Sequence, residues 1–138
     1  MHYTMTTVKT TEDLEALVTS NPGIIILKLG ATWCAPCKKI EPLVKQWFQQ
    51  LQHPCISLVT VDIDERINLY GFYKKKRIVR GVPTIMAYYA ENEHYIPDDI
   101  TFGSDEKETN AFFQRCLEYI RENIDVTPSK PVFETPSA

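Results

Sequence analysis

The spacing of apolar residues changes several times along the chain, and each change marks an element. Residues 24–29 read Ile-Ile-Ile-Leu-Lys-Leu, a continuous apolar run broken only by Lys28, as in a strand covered on both faces. The run is far short of the ~20 residues that cross a bilayer, so it predicts a central strand of a sheet. Further on, Ile40, Leu43, Val44, Trp47, Phe48 and Leu51 recur at helical spacing, with Lys38, Lys39, Lys45, Gln46 and Gln49 elsewhere. This predicts a long amphipathic helix from Ala35 to about Gln52. Pro42 lies inside it, lacks a backbone donor, and is expected to bend the helix near Lys38. Ahead of the strand, Leu14, Leu17 and Val18 share one face of a helix over Thr11 to Thr19, behind threonines able to cap it. Ser20-Asn21-Pro22-Gly23 ends that helix, and a short strand is expected at Met5 to Lys9.

The stretch from Ile56 to Ile63 is rich in β-branched residues and predicts a second strand; Asp64 to Lys76 supports a less regular helix carrying Leu69, Tyr70, Phe72 and Tyr73. Strands are expected at Thr84 to Tyr89 and Tyr95 to Phe102, joined by a polar turn at Glu91-Asn92-Glu93, and a last helix from about Asp105 to Asn123. Strands and helices alternate, then a hairpin and a closing helix follow. That order predicts an α/β fold, a central mixed sheet with helices on both faces, forming one domain over residues 1–124. Residues 125–138 hold Pro128, Pro131 and Pro136 among polar neighbours, without apolar periodicity, and read as an extended or disordered tail. Val132-Phe133 is its one candidate docking element.

A net charge of −3 over 138 residues gives no electrostatic reason to expect nucleic-acid or membrane binding, so the expected partners are proteins. The first residues, Met1-His2-Tyr3-Thr4-Met5, have neither the basic nor the apolar run of a secretory leader, and the expected location is the cytoplasm. Four cysteines with one close pair do not make the dense framework of a small secreted domain. Cys116 falls on the apolar stripe of the last helix and reads as a core filler. Cys55, after His53-Pro54, reads as a bystander, with regulatory oxidation or an intermolecular disulfide as the alternative. The run Lys74-Lys75-Lys76-Arg77 reads as a solvated helix end, or else as a contact for an acidic protein.

The chemistry concentrates at Trp33-Cys34-Ala35-Pro36-Cys37. Two cysteines separated by two residues at a helix start can close a small disulfide ring, a reversible two-electron switch. Unpaired N–H groups at a helix start favour a thiolate, which makes Cys34, expected to be exposed, the nucleophile and Cys37 the resolving thiol. Pro36 stiffens the loop where its missing N–H has no helical partner anyway. Trp33 offers a flat apolar surface to a substrate, or simply packs. The alternative for the pair is half a zinc site, for which His53 and Cys55 are poorly spaced partners, so no metal is expected.

Trp33-Cys34-Ala35-Pro36-Cys37-Lys38, followed by Pro42 and Gly81-Val82-Pro83-Thr84, resembles the thioredoxin family over roughly residues 5 to 124. The resemblance implies the thioredoxin fold and thiol–disulfide exchange with disulfide-containing proteins. It implies no cofactor beyond the Cys34–Cys37 disulfide, and a thioredoxin-reductase-like or small-thiol reductant. It also implies that Pro83 follows a cis bond and faces the cysteine pair, and that Val82 offers backbone hydrogen bonds to an extended substrate. Gly103, otherwise a loop glycine, would let a substrate chain approach from the other side. Ala35, where the family commonly has glycine, and Pro36 share this substrate-facing loop.

The sequence departs from the family in Lys28, which stands where a buried aspartate is usual, and in Thr60, which stands where a lysine is. Buried beneath Cys37, Lys28 would tune the thiol or act in proton transfer; on a long enough stem its ammonium would instead reach water. The loops at Tyr70 to Arg80 and Ala90 to Asp99 are longer than usual. The expected activity is thiol–disulfide oxidoreduction, at a potential bracketed by thioredoxin and protein disulfide isomerase, about −270 to −180 mV. The rival is a thioredoxin-fold binding module or assembly subunit with weak or no turnover.

Overall fold

The computed structural model describes residues 5–124; the expected tail, with Val132-Phe133, lies outside the described residues. Four strands, β1 (Ile24–Gly30), β2 (Ile56–Asp62), β3 (Thr84–Tyr89) and β4 (Asp99–Phe102), form one sheet in the order β2-β1-β3-β4. β1 runs parallel to β2 and antiparallel to β3, which is antiparallel to β4. The helices are α1 (Thr11–Thr19), α2 (Ala35–Gln50), α3 (Ile67–Lys75) and α4 (Glu106–Asn123). The sheet is mixed and covered on both faces, as expected.

Every residue of β1 is buried, and the pleat divides its side chains between two cores. Ile24 and Ile26 join Ile40, Val44, Trp47 and Phe48 of α2 and Phe112, Phe113 and Leu117 of α4. Ile25, Leu27 and Leu29 join Leu14 and Val18 of α1 and Leu69 and Tyr73 of α3. Trp47 of α2 stacks on Phe113 of α4 at 5.2 Å between ring centroids, and its Nε1 donates to Asn110 Oδ1 at 2.8 Å. α2 therefore has a fixed seat, and it continues through Pro42 to Gln50. Thr10 and Asp13 cap each other at the start of α1, and the Asp105 side chain caps α4.

Three expected elements differ. Met5 to Lys9 forms no strand: Thr6 N–H donates to Leu58 O at 2.7 Å, after which Val8 turns into the core and the Thr10 cap begins α1. α3 starts at Ile67, not near Asp64, because the N–H groups of Glu65 and Arg66 fold back on the Asp62 carbonyl in a turn. β4 starts at Asp99, not Tyr95, because side chains intercept the preceding backbone. The Tyr88 hydroxyl donates to Tyr95 O at 2.6 Å, and the Asp98 carboxylate accepts from Tyr89 N–H at 2.7 Å.

Candidate active site

The ladder brings distant segments to one edge of the sheet. Leu29 of β1 is opposite Thr84 of β3, which is opposite Phe102 of β4, so Gly30, Pro83 and Gly103 follow or precede these partners at the same end. Gly103, at φ +83°, donates its N–H to Pro83 O at 3.0 Å. A residue with a side chain is disfavoured at that dihedral, which gives the glycine a backbone reason to be there.

Cys34 caps α2 at this edge. Its Sγ accepts a hydrogen bond from Cys37 N–H at 3.1 Å, and Ala35 and Pro36 occupy the first turn, where a missing N–H costs nothing. Cys34 and Cys37 form a disulfide, with their Cα atoms 5.2 Å apart. Val82-Pro83 is a cis peptide, and Val82 O lies 3.8 Å from Cys34 Sγ. The bonded sulfur carries no proton, so this is a contact and not a hydrogen bond. It places the Val82 backbone beside the sulfur that was expected to be the nucleophile.

Cys34 is not exposed, contrary to the sequence reading: it is 4% accessible, against 5% for Cys37. Its sulfur, bonded to Cys37, lies against the Val82 carbonyl. Trp33, in contrast, is 65% accessible, and its Nε1 donates to Asp64 Oδ2 at 2.7 Å. Its ring is held by that bond and left open to solvent, so simple packing does not describe it. Phe102, 50% accessible beside Gly103, adds apolar surface at the same edge.

Lys28 is 9% accessible and projects to the α2 side of the sheet, in line with Ile24 and Ile26. It lines a cleft of about 290 Å³ together with Gly30, Cys37, Glu41, Thr60 and Asp62. Burial pushes its pKa below the ordinary lysine value; Glu41 opposes that shift and Lys45 adds to it. Lys28 and Cys37 thus line the same cleft.

Sequence reasoning missed Asp64 and Glu41. Glu41 sits four residues after Cys37 on α2, a helical spacing that places both on one face and was available as a signal. Asp64 is 31 residues from Trp33, and no local pattern joins them. The remaining candidates lie outside the site. Cys116 is fully buried in the α4 core, which pushes its thiol pKa up, and Cys55 is partly buried and free. Lys74 to Arg77 are exposed at the end of α3, where Lys74 lies over the Tyr70 ring and Lys76 over Phe72 and Tyr95. Among the described residues, no group of three or more His, Cys, Asp or Glu side chains is disposed to hold a metal ion.

A disulfide at the start of a helix, facing a cis-proline loop at the edge of a β2-β1-β3-β4 sheet, defines a thioredoxin-fold protein with a Cys-x-x-Cys centre. The family model for Thioredoxin matches residues 5–114, and the chain belongs to the thioredoxin family. It is 30% identical over 101 residues to Thioredoxin 3 of Plasmodium falciparum, covering 72% of this chain and 52% of that protein. It is 43% identical over 65 residues to Thioredoxin-1 of Caenorhabditis elegans, covering 46% and 55%. The chain thus spans about half the length of these curated relatives. Among solved structures, Fasciola hepatica thioredoxin aligns at TM-score 0.64 and 26% identity, covering 80% of this chain and 98% of that one.

Proposed function

We propose that the chain is a thiol–disulfide oxidoreductase that reduces disulfides in other proteins through Cys34 and Cys37. The observation that carries this reading is the Cys34–Cys37 disulfide at the N-terminus of α2, with the Val82 backbone against Cys34 Sγ. The structure holds the oxidised half of the cycle, and a dithiol or small-thiol reductant opens it. In the reduced pair, the first-turn N–H groups, Cys37 N–H foremost, favour the Cys34 thiolate. That thiolate attacks a substrate disulfide and forms a mixed disulfide, releasing the first substrate thiolate. Cys37 then attacks Cys34 Sγ, the intermolecular bond breaks, and the electron pair leaves on the second substrate sulfur.

Substrate recognition falls to the residues around the pair. Val82 offers backbone to an extended substrate, Pro83 walls the groove, Trp33 and Phe102 supply apolar surface, and Gly103 leaves room for a passing chain. Ala35 and Pro36, both exposed, bound the other side. No cofactor enters the cycle. The working location we propose is the cytoplasm, which suits two further cysteines that remain free.

A Cys37→Ser variant tests the cycle. It is expected to accumulate protein partners bound through Cys34 and released by dithiothreitol, whereas Cys34→Ser captures none. Partners that stay bound when both cysteines are replaced would contradict the reading and point to a non-redox binding module.

A further inference from the structure

Lys28 is the only buried charged side chain among the described residues, and neither the Glu41–Lys45 nor the Asp99–Arg115 ion pair includes it. Its direct partners across the ladder, Thr60 and Ile85, carry no charge. Gly30 leaves open the space between it and the cysteine pair. The point a Cβ on Gly30 would occupy is 3.7 Å from Cys37 Sγ and 3.7 Å from Lys28 Cε. The resolving sulfur and the lysine stem thus border one gap, and that gap belongs to the cleft whose lining includes Lys38, Glu41 and Asp62.

We propose that Lys28 accepts the Cys37 proton during the resolving step and returns it to solvent through this cleft, with Glu41 steadying the ammonium that forms. The inference rests on the oxidoreductase reading above and adds a residue to its second half. In the mixed disulfide Cys37 is a thiol, and a thiol is a poor nucleophile until it loses its proton. The neutral Lys28 amine takes that proton, directly or through one water. The Cys37 thiolate then bonds to Cys34 Sγ, and the substrate sulfur leaves with the electron pair. The ammonium afterwards releases its proton to water in the cleft.

Burial raises the neutral fraction of this amine above that of an exposed lysine. The charges that act on it oppose each other: Glu41 of α2 favours the ammonium and Lys45 of α2 disfavours it, while Lys38 and Asp62 also line the cleft. Glu41 also lies 3.5 Å from Lys45, so its charge is shared between the two amines.

The test follows the pre-reduced protein reacting with a symmetrical aromatic disulfide, 5,5′-dithiobis(2-nitrobenzoate), in a stopped-flow instrument. Attack by Cys34 releases one coloured thiolate, and resolution by Cys37 releases the second. In Lys28→Met the second phase is expected to slow at least about tenfold at neutral pH, the low side of what a positioned base supplies. Its rate should then rise with hydroxide across the thiol range, while the first phase stays within about twofold. Lys28→Arg keeps a positive charge but cannot accept a proton, and is expected to be as slow as the methionine variant. A second phase unchanged in Lys28→Met, or fully restored in Lys28→Arg, would overturn the proton-acceptor role and leave the oxidoreductase reading standing. A wild-type protein that releases only one thiolate would overturn both.

Discussion

Lys28 is a cation in the middle of an otherwise apolar strand, and its thermodynamic signature is separable from its chemistry. Its pKa is lowered by burial from the ordinary value of 10.5. Between the native and unfolded values the unfolded chain binds the extra proton, so stability rises with pH across that window. Below the native value both states are protonated and the full cost of burying the ammonium is present. Lys28→Met is therefore expected to be more stable than the wild type, by on the order of 1 kcal/mol at neutral pH. The gap should close as pH approaches 10.5. Urea denaturation at several pH values checks it; an equal or lower midpoint for the variant throughout would mean that the lysine is not held in a low-dielectric site. Cys34, Cys37 and Pro83 were legible because they stand in short motifs, and Lys28 because it stands where the resembled family usually has a buried aspartate. The burial of Cys34 was not, because it involves a carbonyl 48 residues away.

The elements were legible wherever periodicity was strong. α1 and β3 fall where the pattern puts them, and β1, α2 and α4 to within two residues, because each buries a continuous stripe or run. The misplaced boundaries share a cause: side chains or turns satisfy backbone groups that a propensity reading assigns to a ladder or helix. Tyr88 is the clearest case, since its hydroxyl takes the Tyr95 carbonyl and pairs with the Tyr73 hydroxyl at 2.8 Å. Burial pushes both phenols well above their ordinary pKa, so the pair stays protonated. Tyr88→Phe would leave the Tyr95 carbonyl and the Tyr73 hydroxyl each short of a partner, at a cost of about 1–3 kcal/mol. Chemical denaturation measures that loss, and a stability within a few tenths of the wild type would show the network to be replaceable by water. Between α2 and α4, Phe113 packs against both Trp47 and Phe48, so Phe113→Ala should cost about 3–5 kcal/mol. A thermal scan tests that figure, with a loss under 1 kcal/mol counting against the α2–α4 seat.

At the scale of the whole molecule, the sheet order gathers the ends of three strands and the start of α2 into one edge, and the chemistry follows from that meeting. The fold class and the cysteine pair were readable from the chain; Glu41 and Asp64 became functional candidates only once the elements were placed in space. A redox potential measured against glutathione buffers is expected between about −270 and −180 mV, and a value near that of a strong oxidant would contradict a reductase. The most direct measurement is the rate at which the pre-reduced protein accelerates insulin disulfide reduction by dithiothreitol, beside a Cys34→Ser/Cys37→Ser control. Marked acceleration that vanishes in the control is the predicted result; equal rates for a folded wild type with a titratable pair and for the control would contradict the account.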